Sequence, residues 1–497
     1  MTTLDQPQKN AAALAAVPTG LLIDGSWRPA RDGARMDVVN PATEHVIAQV
    51  ADAGLDDALE AVDAAVRAQT LWGTTAPRVR SELLYRAYEE VMRRQNDLAF
   101  IMTSEMGKPF AEACGEVAYA AEFFRWFAEE AVRVGGDFTQ RPDGSARTIV
   151  MRQPVGPCLL ITPWNFPIAM GARKIGPALA AGCTVVLKPA PQTPLTSLAL
   201  AQILQDVGLP DGVVNVITTS RAAEVVEPIL TGGSIRKLSF TGSTAVGKLL
   251  LEQAAKQVVR TSLELGGNAP FIVLPDANLE VAVEAAVQAK MRNMGEACTA
   301  ANRMFVHSSF VDEFARALAD RMTAMPVGNG MTDGVQVGPM IDAVSRDKVL
   351  RLMTDAIARG ATVVGGGHVP GGIGYFIEPT VLTNVHPDSD LTSTEIFGPV
   401  AAIQSFETVE EVIAKANATE WGLVGYVITQ DVDLALEVGE RLQVGMVGLN
   451  TGLVSTPSAP FGGIKQSGLG REGGRLGIEE FLDVKYMAMP IRARGRA

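Results

Sequence analysis

Cysteine, histidine and basic charge are all scarce in this chain of 497 residues. Its four cysteines include no CxxC pair, which excludes a disulfide framework and favours a reducing compartment. Its four histidines are scattered and lack the spacing of metal ligands. The 43 basic and 55 acidic residues give a net charge of −12, which repels nucleic acid and anionic membranes. The sequence therefore predicts a cytoplasmic protein with no bound metal and no nucleic-acid or membrane partner.

A secretory leader and a membrane span are also missing from the pattern. The N-terminus carries Asp5 and a lone Lys9 before a short, weak apolar run, which is atypical of a signal peptide. The longest uncharged stretch, 153–172, contains four prolines and therefore predicts a buried strand followed by a turn. With 47% hydrophobic residues, a chain of this length has enough apolar surface for two or three packed domains.

Hydrophobic periodicity divides the chain into regions. From residue 56 to about 134, helical spacing predicts consecutive amphipathic helices. After residue 157, the runs CLLIT, TVVLK, VVNVI and IRKLSF alternate with helical segments, which is typical of a parallel sheet. The alternation restarts after LELGG with APFIVL, RMFVH, LVGYVI and GMVGLN, which predicts a second α/β domain. The segments TIVMRQPVG and DVKYMAMPI are predicted to be arms that pair outside both sheets.

Ligands bind such sheets at the turns that connect a strand to the next helix, and two of these turns carry polar residues that could contact a ligand. The turn ITPWNFP, 161–167, holds Asn165, whose amide N–H could stabilise an oxyanion. A rigid turn with a packing tryptophan is the alternative. The turn KPAPQTP, 188–194, brings Lys188 to the ligand edge of the sheet. A ribose or phosphate contact and an amine that only reaches solvent both remain open there.

A third turn, FTGSTAVGKLL at 240–250, resembles a phosphate-binding loop only in part. Residues 242–248 fit GxxxxGK, but Leu249 stands where a nucleotide hydrolase needs Ser or Thr for magnesium. The turn therefore argues against an ATPase. It predicts instead a helix N-terminus that could bind a dinucleotide pyrophosphate, with Ser243 as a further donor.

Two residues could complete a catalytic site. Cys298 follows a predicted helix that ends near Met291 and lies in a loop of small residues. The other three cysteines are interpreted as small buried hydrophobic residues. Glu264 ends an apolar strand in LELGG and is either a turn acceptor or a base with a raised pKa. Spacing alone leaves both interpretations of Glu264 open.

Seven segments occur in one order: ITPWNFP, KPAPQTP, FTGSTAVG, LELGG, GEAC, EIFGPV and PFGGIKQSGLGREGG. Through them the chain resembles the aldehyde dehydrogenase superfamily over nearly its whole length, and within it the bacterial succinate-semialdehyde dehydrogenases. The resemblance implies an α/β fold with a Rossmann-like cofactor domain, an α/β catalytic domain and a small β oligomerisation arm. It places the cofactor domain at 1–136 and 157–262, the catalytic domain at 263–447, and the arm and C-terminal tail at 137–156 and 470–497. It also implies a homodimer or homotetramer.

The resemblance assigns chemical roles as well. Cys298 would attack the aldehyde, Asn165 and the Cys298 backbone N–H would hold the oxyanion, and Glu264 would activate water against the thioester. NAD or NADP would accept the hydride. The residues implied to bind this cofactor are Thr162, Pro163, Trp164, Lys188, Ala190, Pro191, Gly242, Ser243, Gly247, Leu265, Glu395 and Phe397.

Specificity is expected to depend on a few positions. Relatives that prefer NAD commonly have Glu where this chain has Pro191, so we expect NADP to be accepted and preferred. The positions that hold the distal carboxylate of succinate semialdehyde in relatives are Arg173, Arg292 and Ser455. A guanidinium suits a carboxylate because both are planar and bidentate, although both arginines could instead be helix-surface charges. Ala300 replaces a second cysteine found in some relatives, so a regulatory disulfide is not expected.

The resulting prediction is oxidation of succinate semialdehyde to succinate, with a place in GABA degradation. A dehydrogenase for another acidic aldehyde, such as glutarate or malonate semialdehyde, is the alternative among enzymes, because one methylene in a pocket changes binding by only about 1–3 kcal/mol. A non-catalytic protein of the same fold is the alternative outside the enzymes.

Overall fold

The computed structural model describes residues 6–491. The helices are α1 Gln6–Ala15, α2 Leu55–Thr74, α3 Pro77–Arg93, α4 Gln95–Met106, α5 Phe110–Ala131, α6 Pro167–Ala181, α7 Pro194–Asp206, α8 Ala222–Thr231, α9 Thr244–Ala255, α10 Leu279–Met291, α11 Val311–Thr323, α12 Ala343–Ala358, α13 Asp390–Ser393, α14 Val409–Asn417, α15 Val432–Arg441 and α16 Leu476–Glu479. The strands are β1 Leu21–Ile23, β2 Ser26–Arg28, β3 Arg35–Val39, β4 Val46–Ala51, β5 Asp137–Gln140, β6 Ala146–Pro154, β7 Cys158–Ile161, β8 Val185–Lys188, β9 Val214–Val216, β10 Lys237–Thr241, β11 Arg260–Glu264, β12 Ala269–Val273, β13 Ala301–His307, β14 Thr362–Gly365, β15 Thr380–Thr383, β16 Val400–Phe406, β17 Trp421–Gly422, β18 Val424–Ile428, β19 Met446–Leu449, β20 Ile464–Lys465, β21 Gly468–Leu469 and β22 Leu482–Pro490.

Two large sheets dominate the fold. The first has the order β2-β1-β9-β8-β7-β10-β11-β21, with parallel pairing from β9 to β11. The second has the order β14-β15-β16-β13-β12-β18-β19 and is parallel except at β14. Parallel strands joined by helices place all their carboxyl ends at one edge, which is where the polar turns lie.

The predicted helix and strand patterns agree with these elements. The helical stretch after residue 56 forms α2 to α5, and the four runs after residue 157 form β7 to β10. Inside the uncharged stretch 153–172, the predicted strand is β7, and the predicted turn leads directly into α6. Pro167 takes the first helical position of α6 and Pro194 that of α7, where the missing N–H of proline costs nothing.

Several strands carry little signal in the sequence. The sequence patterns do not predict β1 to β4, β14 to β17, β20 or β21; β1 and β2 have only three residues each, and β17, β20 and β21 only two. Short strands of this kind are held by their sheet neighbours rather than by their own pattern.

The two predicted arm segments pair with each other. β6 pairs antiparallel with β22 along its whole length, and β5 adds a third strand. The predicted tail begins at residue 470, but its arm strand begins only at Leu482, because the residues before it form a bridge from Glu472 to Phe461 and the short helix α16. The outermost parts of two predicted ranges, 1–5 and 492–497, lie outside the described residues. Within the described part of the chain, no helix combines the length and apolar character needed to cross a membrane.

Candidate active site

One cavity of about 250 Å³ gathers the turns that follow β7, β10 and β11, the loop after α10, and part of α12. Its lining residues are Pro163, Trp164, Asn165, Phe166, Met170, Thr241, Gly242, Ser243, Glu264, Leu265, Gly266, Cys298, Ser345, Lys348, Glu395 and Phe397. The three predicted catalytic residues are therefore together, although they lie far apart in the chain. The predicted site residues outside this lining are Thr162, Arg173, Lys188, Ala190, Pro191, Gly247, Arg292 and Ser455.

Cys298 lies in the loop between α10 and β13, as expected. Burial raises the pKa of its thiol to about 12, with the nearby Glu395 and Glu264 acting in the same direction and Arg173 opposing them. The thiol is therefore neutral at pH 7 in the free protein. A base or a nearby positive charge is needed before the sulfur becomes a strong nucleophile.

Asn165 lies in the turn between β7 and α6, and it is 5% exposed. Its Nδ2 donates to the backbone oxygen of Glu296 at 2.9 Å, so the amide is fixed against the loop that carries Cys298. The backbone carbonyl oxygen of Asn165 accepts a hydrogen bond from the buried Lys108 Nζ at 2.8 Å. No motif in the sequence indicated Lys108, which also forms a buried ion pair with Glu116.

Glu264 ends β11 and is 2% exposed. Burial raises the pKa of its carboxyl group well above the usual range, and the nearby Glu472 raises it further, whereas Arg173 opposes both. Its Oε2 has no hydrogen-bond partner among residues 6–491. This environment favours the neutral carboxyl group, which becomes a base only after it loses its proton.

A buried ion cluster lies behind Glu264. Glu472 accepts from Arg173 Nε at 2.6 Å and from Lys174 Nζ, and Lys174 also donates to Ser239 Oγ at 3.2 Å. The guanidinium carbon of Arg173 lies 4.0 Å from the Phe461 ring centroid. Arg173 was expected to face the substrate, but most of its charge is compensated by Glu472. Its buried Nη2 has no partner in the described chain and could still donate to a ligand.

Arg292 and Ser455 meet at Tyr119, a residue that sequence reasoning missed. The Arg292 guanidinium carbon lies 5.6 Å from the Tyr119 ring centroid and 4.9 Å from that of Phe166. The Tyr119 hydroxyl and Ser455 Oγ are 2.7 Å apart. Because Phe166 also lines the cavity, this cationic, hydroxyl-bearing group borders the space around Cys298.

The turn before α9 fits a dinucleotide phosphate. Ser243 caps the helix, with its Oγ accepting from Val246 N at 3.4 Å. Gly247 allows α9 to pack against Leu265, since a Cβ there would lie 2.5 Å from a Leu265 methyl group. Thr241 lines the cavity, and its buried Oγ1 has no hydrogen-bond partner in the described residues. It can therefore form a hydrogen bond with a bound ligand.

Lys188 and Glu395 are two further polar residues of the predicted cofactor site. Lys188 ends β8, and burial lowers the pKa of its amine to about 8; its Nζ donates to Pro189 O at 3.1 Å. Glu395 Oε1 accepts from Gly267 N at 3.1 Å, and burial raises the pKa of this carboxyl group to about 7. Lys348, which the sequence did not indicate, donates to the Glu395 backbone oxygen at 2.7 Å.

The remaining predicted cofactor residues surround these groups. Thr162 N donates to Lys188 O at 3.2 Å, which joins the first two turns. The rings of Trp164 and Phe397 meet edge to face with centroids 5.4 Å apart. Ala190 is buried and Pro191 half-buried just after β8. These residues, together with the helix N-terminus, fit NAD or NADP in shape and donor chemistry.

Comparison with known proteins agrees with this geometry. The aldehyde dehydrogenase family matches residues 27–487. A succinate-semialdehyde dehydrogenase of Paenarthrobacter nicotinovorans is 52% identical over 89% of this chain and 99% of that protein. A glutarate-semialdehyde dehydrogenase of Pseudomonas putida is 47% identical over 94% of this chain and 97% of that protein. The crystal structure of an E. coli NADP dependent enzyme, 46% identical, superposes with a TM-score of 0.95 and covers 97% of this chain and 99% of that chain. A match along so much of the sequence and the fold means that this chain belongs to the aldehyde dehydrogenase family.

Proposed function

We propose that this enzyme oxidises succinate semialdehyde to succinate and reduces NADP, or NAD less efficiently. The observation that carries the proposal is the position of Arg292. Its guanidinium packs on Phe166, which lines the Cys298 cavity, and lies beside the Tyr119–Ser455 hydroxyl pair. One cation and two hydroxyl groups form a binding site for a carboxylate at the far end of a short aldehyde. The Nη2 of Arg173, which has no partner among residues 6–491, supplies a further donor.

The cavity residues then divide the reaction among them. The Cys298 sulfur adds to the aldehyde carbon once its proton is removed, and the Asn165 Nδ2 donates to the oxygen that becomes negative. Hydride acceptance is the chemistry that bound NAD(P) supplies, and loss of the hydride leaves a thioester on Cys298. Water then adds to the thioester, with Glu264 as the base after its own proton has gone, and succinate and the free thiol are released.

Burial acts in the same direction on Cys298 and Glu264. It raises the pKa of both groups and so favours the neutral thiol and the neutral carboxyl group before substrate and cofactor enter. Such a resting state protects the thiol from reagents in solution. The positive nicotinamide ring of an oxidised cofactor is the charge that would favour the thiolate.

Cofactor choice is assigned to Pro191. An acidic side chain there would repel a 2′-phosphate and bind a ribose hydroxyl, whereas proline does neither. The NADP dependence named for the E. coli structure supports the same preference. Lys188, Glu395 and the α9 N-terminus are the groups proposed to hold the rest of the dinucleotide.

Oxidation of glutarate semialdehyde is the second candidate. The glutarate-semialdehyde dehydrogenase of Pseudomonas putida supports it with 47% identity. One additional methylene alters binding by about 1–3 kcal/mol, so both aldehydes are expected to react with different KM values.

The wider assignments follow from the same family. For the cofactor domain, the catalytic domain and the β arm, we propose the boundaries that the resemblance implies. The exposed Phe138, Val484 and Tyr486 on the β5-β6-β22 sheet support a homodimer or homotetramer through this arm. We also place the enzyme in the cytoplasm, where a thiol nucleophile stays reduced, and in GABA degradation.

The test is cofactor reduction, followed by absorbance, with succinate and glutarate semialdehyde and with NADP and NAD in parallel. Cys298→Ala should abolish turnover with every pair. Cys114→Ala, at a half-buried thiol in α5, is the matched control and should keep wild-type rates. Absence of turnover with both aldehydes in the wild-type enzyme would refute the proposed substrate class.

A further inference from the structure

The chain takes an unusual path between α10 and Cys298. Asn293 has φ 51° and ψ 41°, Met294 has φ 56° and ψ 25°, and Gly295 has φ 78°. Three consecutive residues are therefore left-handed, although only glycine and, to a lesser extent, asparagine adopt this conformation readily. Such backbone persists only where surrounding contacts fix it, and it is concentrated at functional sites.

Asn293 supplies those contacts from a fully buried position. Its backbone N–H donates to the carboxylate of Glu112 on α5. Its side-chain Nδ2 donates both to Asn165 O at 3.0 Å and to Glu296 O at 2.9 Å. One amide group thus joins the turn after β7 to the loop that carries Cys298.

The same two segments are joined a second time by Asn165. The Nδ2 of Asn165 donates to Glu296 O at 2.9 Å, so this carbonyl accepts from two amides at once. Lys108 Nζ, which also donates to Asn165 O at 2.8 Å, holds the outer side of the turn. The result is a closed ring of hydrogen bonds through Asn165, Glu296 and Asn293.

We propose that Asn293 is a positioning residue that fixes the Asn165 amide relative to Cys298. Asn293 does not line the cavity. It acts on the site through the backbone carbonyl groups of Asn165 and Glu296, which accept hydrogen bonds from its side chain. A donor to an oxyanion stabilises the transition state only when its position is fixed in advance. The inference rests on the proposed role of Asn165 as that donor.

Two variants separate the amide from the backbone conformation. Asn293→Gly allows the left-handed backbone and removes the Nδ2 group with both of its hydrogen bonds. Asn293→Asp keeps the size of the side chain but can donate to a carbonyl only when its new carboxyl group is protonated. Asn384→Gly is the matched control, since Asn384 is an exposed left-handed asparagine with φ 54° in the turn after β15.

For Asn293→Gly we expect kcat to fall by about tenfold or more, with KM changed by less than about threefold. The rate of Cys298 alkylation by iodoacetamide should stay within about threefold of wild type, because alkylation builds no oxyanion. For Asn293→Asp, kcat relative to wild type should rise as the pH is lowered from about 8 to about 6, as the carboxyl group takes up a proton. In that profile each kcat is divided by the wild-type kcat at the same pH, because Glu112 and Lys108 also face this segment and are present in both enzymes. Asn384→Gly should match wild type throughout.

Two results would overturn the proposal. One is a kcat for Asn293→Gly within about threefold of wild type. The other is an equal loss of kcat and alkylation rate with a flat Asn293→Asp profile, which would mean that the residue only keeps the loop folded. The proposed function is judged separately, by wild-type turnover of succinate semialdehyde. Any aldehyde that the wild-type enzyme oxidises serves for the comparison of the Asn293 variants.

Discussion

Gly267 lies directly against the backbone of Cys298. A Cβ at Gly267 would be 2.7 Å from the Cys298 carbonyl oxygen, closer than a carbon and a carbonyl oxygen normally approach. The neighbouring Gly266 has a similar relationship with Glu395, with 2.9 Å from its Cβ position to Oε2. The two glycines of LELGG therefore let the backbone approach both the Cys298 loop and Glu395, a proposed cofactor residue, more closely than a side chain would allow.

Gly267→Ala should reduce kcat/KM by about a hundredfold, because a displacement of the reacting group by about 1 Å has an effect of this size. Steady-state kinetics with succinate semialdehyde measure the loss. Gly115→Ala is the control, since Gly115 is exposed on α5 and a Cβ there meets no atom within 4 Å. That variant should keep wild-type activity and gain a little stability from the better helix propensity of alanine. Equal activity in both variants would contradict the close approach.

Alkylation of the free enzyme by iodoacetamide should increase about tenfold per pH unit from pH 7 to pH 10. The reason is that burial raises the pKa of Cys298 to about 12, so the reactive thiolate is a small fraction throughout this range. A thiol with its usual pKa would instead reach a plateau near pH 9. Mass spectrometry of the Cys298 peptide follows the reaction. A plateau in the alkylation rate below pH 9 would show that the pKa of the thiol is not raised.

Replacing Arg292 by methionine should raise the KM for succinate semialdehyde by about tenfold to a hundredfold, consistent with a hydrogen bond to a charged group of about 1.5–3 kcal/mol. Methionine keeps most of the packing on Phe166 and Tyr119. The kcat/KM for propanal, which has no distal carboxylate, should change little. Arg316→Met, at an exposed position of α11, is the control and should leave both aldehydes unaffected. A parallel loss with propanal would remove the carboxylate site from the proposal.

Tyr119→Phe tests the other half of that site. The substitution removes the hydroxyl group 2.7 Å from Ser455 Oγ and leaves the ring under Arg292. We expect a smaller rise in KM, about threefold to tenfold, because a neutral hydrogen bond contributes about 0.5–1.5 kcal/mol. Kinetics with succinate semialdehyde and propanal give the comparison. An unchanged KM for the acidic aldehyde would exclude the tyrosine hydroxyl from substrate binding.

Pro191→Glu should reverse the cofactor preference. A carboxylate at this half-buried position should reduce kcat/KM for NADP by about tenfold or more through repulsion of the 2′-phosphate, with no such loss for NAD. Pro191→Ala is the control for loss of the ring without added charge, and it should keep the NADP preference. If the ratio of kcat/KM values for the two cofactors is unchanged in Pro191→Glu, the adenosine ribose binds elsewhere.

The protonation states in the site were decided by burial rather than by residue type. Glu264 was recognisable as a candidate base, but its neutral form depends on desolvation and on Glu472, which is remote in the chain. Lys174 and Glu472 form a buried ion pair across 298 residues of sequence. No local pattern identifies such a partner, because the contact exists only after the turn at Glu472 folds against α6.

The amino-acid sequence by itself determined the main alternation of helices and strands between residues 56 and 323, and the residue types at the strand ends. Local physical chemistry was enough for this: apolar spacing, prolines that begin helices, and small residues in the loop around Cys298. Only the tertiary structure decided which groups meet. It paired Tyr119 with Ser455 across 336 residues and closed the ring between Asn165 and Asn293. Those contacts depend on the packing of distant segments and on the removal of water around them, and neither is encoded within a single motif.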